Sequence, residues 1–371
     1  MRQIDSLFYE LIRVAIGTQD SLSRLPQASE WGKLYKMAQK QSLVGVCFAG
    51  LQRLRADADE GFARIGISKE VYFDWLGNTF MIQQKNGMMD KYTKDALAFV
   101  RNKDVPCQVL KGQGIAKLYT STGSPQGKSL AELRQSGDID VWIRGGKDKA
   151  FALSKEVLGK VEGLTNYHIH FPIYKDAEIE LHFKPSFLSS PIRNRKFLKF
   201  CKLYEPYVGC NDEPSLEFNR IYILLHCYRH LCGHGVGMRQ LLDYYYVLLQ
   251  GFTEEEKADS MKWISALGMK KFAEAMMWFM QNIFGLEAKY LLCSLNEDAG
   301  RFLLNEVMHS GNMGHGEDRF DGKIGRNAMS RYLYNLKRDL RLLQFCPYEA
   351  LWDPFYNVYQ FVWCKVQNKK S

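Results

Sequence analysis

Apolar residues at helical spacing dominate both ends of the chain. In residues 4–16, 30–54 and 69–99 they recur every three or four positions, with a break near Gln41 and Ser42. This period predicts amphipathic helices and an N-terminal helical region over residues 1–95. The same spacing returns after Pro191, where Pro214 and Ser215 introduce a helix over 216–232, so residues 191–371 are predicted to form a second helical region.

Residues 96–190 show a different pattern, in which short apolar or alternating runs are separated by turns. Strands are predicted at 107–110, at 137–143, near 168–171 and at 178–183, the last two as a hairpin, with a helix over 147–158. There are too few strand–helix repeats for a doubly wound fold. The predicted fold class is therefore α+β, with a small mixed-sheet core flanked by the two helical regions.

The first candidate chemistry lies in the run GDIDVWI, which contains Asp138 and Asp140. Side chains at positions i and i+2 of a strand point to the same face, so the two carboxylates lie side by side. Two neighbouring acids repel each other unless a cation lies between them, and their oxygen atoms suit Mg²⁺ or Mn²⁺. The alternative is that an Asp at the start of a strand is only a turn or cap residue.

A second candidate precedes it at Lys111 and Gly112, between an extended apolar run and a helical pattern. A glycine at such a turn lets backbone N–H groups approach an anion, and the lysine adds a positive charge. An anion-binding turn beside a cation-binding acid pair is what a metal-bound triphosphate requires.

A third acid, Glu180, lies in the alternating run AEIELHF. If this strand pairs beside the Asp138 strand, Glu180 reaches the same cluster of acids. The alternative is a solvated edge strand, which shows the same alternation of polar and apolar residues.

These residues resemble the nucleotidyltransferase superfamily of DNA polymerase beta and, within it, the poorly characterised bacterial proteins called nucleotidyltransferase family 5. That family carries a Lys-Gly turn, an Arg shortly before a Gly-Asp-Ile-Asp strand, and a later Glu-Leu-His strand. The matching residues here are Lys111, Gly112, Arg134, Gly137, Asp138, Asp140, Glu180 and His182. Gln113 departs from the wider superfamily, which has Ser or Gly at this position.

The resemblance implies a cytoplasmic bacterial enzyme that transfers a nucleoside monophosphate from an NTP, with ATP as the first candidate. Asp138, Asp140 and Glu180 would be the catalytic and metal-binding residues, with Glu180 also a candidate base. Nucleotide binding would fall to Lys111, Gly112, Gln113, Arg134 and Gly137. The acceptor stays open among a sugar, a small molecule, a protein side chain and a nucleic acid end. The alternative is a catalytically inactive nucleotide- or partner-binding module with the same fold, which Gln113 favours.

Histidines form a second group of candidates. His168, His170 and His182 lie on the predicted hairpin, where they are metal ligands, acid–base groups or polar pocket lining. His226 and His230 are one helical turn apart, but no Glu stands between them as in zinc metalloproteases. A cleft-facing pair is favoured over a zinc hydrolase site. The resemblance places Arg239 and Asp243, which open the next helix, near the same cleft.

Composition adds limits rather than a function. The net charge of +9 suits a phosphate-bearing substrate, nucleic acid or an anionic membrane, but also plain solubility. Nine scattered cysteines without a Cys-x-x-Cys pair predict reduced thiols in the cytoplasm. No apolar run is long enough to predict a membrane span. Basic residues of the tail (Arg331, Lys337, Arg338 and Arg341) are predicted to meet phosphates or a membrane, or to form a solvated face.

Overall fold

Helices surround a small sheet, as the apolar spacing predicted. The computed structural model describes residues 3–56, 65–119, 129–233, 235–312 and 328–368. Its N-terminal helices include α1 (Gln3–Ile16), α2 (Ala28–Lys40), α3 (Val44–Ala56) and α4 (Lys69–Arg101). The predicted break falls between α2 and α3, where Ser42 has a φ of 54°.

In the middle and C-terminal parts, helices lie where they were predicted at 147–158 and 216–232, and further helices fill the region after Pro191. Within or next to the sheet lie α5 (Lys111–Ala116) and α6 (Gly146–Leu158). The later helices are α7 (Pro191–Tyr204), α8 (Leu216–Gly233), α9 (Met238–Leu249), α10 (Glu254–Leu267), α11 (Lys270–Phe284), α12 (Glu297–Ser310), α13 (Ala328–Leu342) and α14 (Pro347–Asn368). No helix among the described ranges combines the length and apolar character needed to cross a bilayer.

The sheet has four strands in the order β1-β2-β4-β3. They are β1 (Cys107–Leu110), β2 (Ile139–Ile143), β3 (His168–His170) and β4 (Ile179–His182). β2 and β4 run parallel, and each has an antiparallel neighbour on its outer side. The α+β prediction is confirmed. The edge-strand alternative for the Glu180 run is wrong, because β4 pairs with a strand on both sides.

The two faces of the sheet differ in chemistry because side chains alternate along each strand. One face is apolar: Val109, Val141 and Leu181 pack in a core with Leu97 of α4 and Leu153 of α6. The opposite face carries polar side chains, which are flanked by an aromatic stack. There, the Trp142 ring stacks on Phe218 of α8 at 5.2 Å between centroids.

A larger apolar core joins helices from both ends of the chain. Leu7 of α1 and Phe48 of α3 belong to the same buried cluster as Leu224 of α8 and Phe279 of α11. Helices α8 and α9 are buried on nearly every side, and they form a wall opposite the polar face of the sheet. The division of the chain at residues 95 and 190 stays a prediction.

Candidate functional site

Three carboxylates converge at the polar face of the sheet. Asp140 and Glu180 are directly paired across the parallel strands β2 and β4, and Asp138 immediately precedes β2. Asp138, Asp140 and Glu180 each offer an oxygen atom within 4.8 Å of the others. The pleat explains this meeting, because paired residues of adjacent strands carry their side chains on one face. The sequence predicted that Glu180 would reach the two aspartates if its strand paired beside theirs, and the strands do pair in this way.

Lys111 supplies the positive charge closest to this trio. Its Nζ lies 3.0 Å from Asp140 Oδ2 and 3.4 Å from Asp138 Oδ2. The turn after β1 directs it there: Lys111 has a φ of 29° and Gly112 a φ of 43°. Positive φ is rare for a residue with a side chain and marks a tight, strained turn. Helix α5 includes this turn, is non-helical at Gly112 and has only six residues, so its dipole adds little to the predicted anion-binding turn.

Two histidines support the acids from the neighbouring strand positions. His182 Nε2 lies 2.8 Å from Asp140 Oδ1 and 3.0 Å from Glu180 Oε2. His168 Nδ1 lies 3.0 Å from the same Glu180 oxygen. His182 and His168 face each other across the antiparallel pair β4 and β3, as predicted. Both hold the Glu180 carboxylate in place.

The charges of the cluster shift its pKa values in opposite directions. Lys111 lowers the pKa of Asp138 to about 2. Burial lowers the pKa of Lys111, but the attraction of Asp140 and Asp138 outweighs it and leaves that pKa well above its usual value. Burial raises the pKa of Asp140 against the pull of Lys111. Several pKa values in the cluster are therefore shifted from their usual values, which is common at functional sites.

His182 and Glu180 stabilise each other's charged forms. Burial would raise the pKa of Glu180, but hydrogen bonds from His168 and His182 hold it well below its usual value. Burial would lower the pKa of His182, but Asp140 and Glu180 raise it to about 9. For His168, burial prevails and lowers the pKa. Glu180 is thus held as a carboxylate, the form that binds a cation or accepts a proton.

The surroundings of Asp140 indicate whether the three acids fit a divalent cation. Asp140 is 1% exposed, and its two oxygens lie 3.0 Å from Lys111 Nζ and 2.8 Å from His182 Nε2. Lys111 and His182 bring two positive charges against three carboxylates, and a divalent cation would compensate the remaining negative charge. Three carboxylates whose oxygens lie within 4.8 Å of one another form an oxygen donor set that hard cations such as Mg²⁺ and Mn²⁺ prefer. The residues therefore fit the predicted metal.

A cavity of about 310 Å³ opens in front of the trio. This volume is at the lower end of the range for small-molecule sites. The sheet contributes the acids, while α8 and α9 contribute a wall with His226, His230 and Arg239. Burial, followed by repulsion from His230 and Lys111, lowers the pKa of His226 well below its usual value, so His226 is neutral. The predicted cleft-facing arrangement of the two histidines is present.

Arg134 and Asp243 meet in this cavity as a closed ion pair. Arg134 Nε donates to Asp243 Oδ1 at 2.6 Å, and Nη2 donates to Oδ2 at 2.7 Å. Tyr119 donates its hydroxyl to the same carboxylate at 2.6 Å. The charge predicted to meet phosphates is therefore neutralised by Asp243, although the Nη1 group of Arg134 has no hydrogen-bond partner among the described residues.

The other predicted site residues are divided between the cavity and its surroundings. Gly112 and Gly137 line the cavity, and the Arg239 guanidinium lies against Gly137 and donates to the carbonyl of Gln135. Gln113 does not line the cavity, since its side chain donates to Asp90 of α4. His170 is half-exposed, with Nε2 3.7 Å from Glu178 and 3.9 Å from Glu180, and it is also outside the cavity lining.

Several lining residues escaped the sequence reasoning, among them Tyr167, Ser186, Tyr222 and Arg229. Arg229 had a usable signal, because it lies one helical turn from His226 on the helix face that was expected to meet the cleft. Tyr222 lies four residues before His226 and could have been found in the same way. Tyr167 and Ser186 come from segments outside regular elements, where spacing predicts no direction.

The basic tail does not form the free positive face that was considered. Arg338 is buried and pairs with Asp339 at 2.9 Å and with Asp353 at 3.1 Å. Arg341 pairs with Glu306 at 2.9 Å, and Lys337 is exposed. Two of these charges are thus used inside the protein, because α13 packs against acids of α12 and α14. The Arg331 side chain lies outside the described residues.

All nine cysteines are free thiols, as predicted.

Fold and cavity together define an α+β protein with an acid-lined site built on a mixed sheet. The model of one family, described as "Uncharacterised nucleotidyltransferase", matches residues 27–285. The chain belongs to this family, which covers the sheet, the acid trio and helices α8 and α9. No curated protein and no solved structure matches the chain.

Proposed function

We propose that this protein transfers a nucleoside monophosphate from an NTP, with ATP as the first candidate, to an acceptor hydroxyl. The observation that carries the proposal is the convergence of Asp138, Asp140 and Glu180 in front of the Lys111–Gly112 turn. Membership of a nucleotidyltransferase family supports the reaction class. An unused cluster of three contacting carboxylates would destabilise the protein, so its presence favours a site that binds a cation.

Asp138, Asp140 and Glu180 would hold Mg²⁺ or Mn²⁺, which would supply Lewis-acid stabilisation of the negative charge on the phosphates. Lys111 and Arg239 would contact the phosphates directly, because both line the cavity beside Asp138 or Gly137. Gly112 and Gly137 would let the phosphates approach the backbone, since neither carries a side chain. Arg134 would position this wall through its pair with Asp243.

The reaction would join the acceptor oxygen to the α-phosphorus and release pyrophosphate. Glu180 would accept the hydroxyl proton only in passing it on to water, because His168 and His182 lower its pKa and a carboxylic acid of low pKa releases its proton readily. The same two histidines would fix its orientation, as supporting residues do in metal sites. Positioning and charge stabilisation account for most of the rate enhancement in phosphoryl and nucleotidyl transfer.

The first test measures nucleotide binding and turnover together. The intact protein should show a thermal shift with MgATP that is absent without Mg²⁺, and should release pyrophosphate with a pool of acceptors. The variant Asp138→Ala/Asp140→Ala should lose both effects. A matched double variant of exposed acids on α10, Glu254→Ala/Glu255→Ala, should retain them. Equal MgATP shifts in the intact protein and the Asp138→Ala/Asp140→Ala variant would contradict the proposal.

The second candidate is an inactive nucleotide- or partner-binding module. The side chain of Gln113 favours it, because it bonds to Asp90 rather than lining the cavity where the wider superfamily has a small residue. This module would bind MgATP with the same dependence on Asp138 and Asp140 but release no pyrophosphate with any acceptor. A zinc hydrolase at His226 and His230 is not proposed, since they join no group of three candidate ligands among the described residues.

A further inference from the structure

Arg229 of α8 is a cavity residue without an acidic partner. It is half-buried, and among the described residues no carboxylate forms an ion pair with it. Two fully buried arginines are paired, Arg134 with Asp243 and Arg220 with Glu256, whereas Arg239, the other half-buried arginine of the cavity, donates to the Gln135 carbonyl. A guanidinium held partly out of water without a carboxylate is unfavourable unless another anion reaches it.

The surroundings of Arg229 fix its orientation. Its guanidinium lies over the Phe187 ring, 3.2 Å from the centroid, and 5.8 Å from the centroid of Tyr167. Stacking of this kind occupies the flat face of the group and leaves the N–H edge available. It donates a long hydrogen bond of 3.4 Å to Ser186 Oγ and also forms a hydrogen bond with Tyr167, so both of these partners are neutral. The nearby acid Glu349 already accepts from the backbone N–H of Ser189 at 2.7 Å.

The strand order separates Arg229 from the phosphate-binding turn. Lys111 and Gly112 follow β1, at one edge of the order β1-β2-β4-β3. Tyr167 precedes β3, at the other edge, and its ring packs against His168 and His182. Arg229 therefore belongs to the Glu180 side of the trio, whereas Arg239 lies beside Gly137 on the Asp138 side. The cavity has two cationic ends with the acids between them.

We infer that the Arg229 end binds the acceptor, and that the acceptor is a small hydroxyl compound carrying a phosphate or carboxylate group. This inference rests on the proposed function, which assigns the Lys111–Arg239 end to the triphosphate. The anionic group would bind the N–H edge of Arg229 and the hydroxyl of Ser186. The acceptor hydroxyl would then lie toward Glu180. Its oxygen bonds to the α-phosphorus, the bond to the β-phosphate oxygen breaks, pyrophosphate leaves, and the proton passes to Glu180 or water.

The test uses two probes that differ only in the anion: glycerol 3-phosphate and glycerol. Calorimetry on the full chain should detect glycerol 3-phosphate and not glycerol. Arg229→Gln should weaken the phosphate probe by about tenfold or more, since charge-assisted hydrogen bonds contribute this much. Arg229→Lys keeps the charge but not the planar edge, so its affinity for glycerol 3-phosphate should lie between those of the intact protein and Arg229→Gln. The exposed α7 residue Arg195 gives a matched control, because Arg195→Gln should bind like the intact protein.

Competition then separates this inference from the proposed function. MgATP and glycerol 3-phosphate should bind together, and Arg229→Gln should leave the MgATP affinity unchanged. Full mutual exclusion, or a probe affinity that is equal in the intact protein and Arg229→Gln, would overturn the inference. If MgATP fails to bind while the probe still depends on Arg229, the proposed function fails and the anion site stands. A thermal melt of each variant shows whether it is folded.

Discussion

Two buried charge clusters face the same cavity and are built in opposite ways. The Arg134–Asp243 pair is balanced, with two short hydrogen bonds between the partners and a third from Tyr119. The acid trio sets three carboxylates against the two positive charges of Lys111 and His182, since burial lowers the pKa of His168. A balanced ion pair of this kind holds neighbouring elements in place. An excess of one charge indicates a site for a ligand of the opposite charge.

Arg134 and the nearby acids Asp138 and Asp140 belong to different charge clusters, although they stand within a few residues of each other in the sequence. The structure separates them, because Asp243 from α9 neutralises Arg134, whereas in the described part of the chain Lys111 and His182 face three acids. Closeness in sequence therefore did not indicate a shared role. The following predictions test this difference between the two clusters.

The largest effect is expected from Asp140→Asn in the acid-rich cluster. Loss of one ligand charge should lower pyrophosphate release by about a thousandfold or more, because a bound cation contributes several kcal/mol to such reactions. The free energy of unfolding should stay the same or rise by about 1 kcal/mol, because a buried like-charge contact is removed. Steady-state kinetics and urea unfolding measure the two values. A destabilised variant with normal turnover would show that Asp140 is structural.

Asp243→Ala should have the opposite profile. It leaves Arg134 buried without its carboxylate, which destabilises a protein by about 3–5 kcal/mol. Urea unfolding of the single variant measures this loss. The double variant Arg134→Met/Asp243→Leu should recover most of it, because neither charge is then left unpaired. A single variant within about 1 kcal/mol of the intact protein would contradict the structural role of the pair.

A third cluster, away from the cavity, tests charge excess by pH. Arg338 faces both Asp339 and Asp353, and burial raises the pKa of Asp339 to about 6. Because the folded pKa lies above the unfolded value, the stabilisation from the protonated form is complete below about pH 4 and is lost as the pH rises through about 6. Asp339→Asn should therefore gain about 1–3 kcal/mol over the intact protein at pH 7.

Urea midpoints measured from pH 4 to pH 8 check this expectation for Asp339. The gap between the variant and the intact protein should open between pH 4 and 6 and stay constant above pH 7. Parallel curves over the whole range would show that Asp339 is ionised in the folded protein as freely as in the unfolded chain.

The smallest effect concerns the turn that directs Lys111 into the acid cluster. Gly112→Ala should destabilise the protein by about 1 kcal/mol, since its φ of 43° is unfavourable for a residue with a side chain. Gly77→Ala is a matched control in α4, where an added Cβ meets nothing within 4 Å. That change should be neutral or stabilising by about 1 kcal/mol. Thermal melts of both variants decide, and equal shifts would mean that the turn is not strained.

Much of this protein was determined by the sequence alone. Period-3.6 and period-2 apolar patterns predicted the helices and strands, and i, i+2 spacing put Asp138 and Asp140 on one face, because these relations depend only on local backbone geometry. Tertiary structure decided what each charge meets. The pairing of β4 beside β2, the partner of Arg134 and the stacking of Arg229 on Phe187 involve residues distant in sequence, and a local period does not predict which of them come into contact.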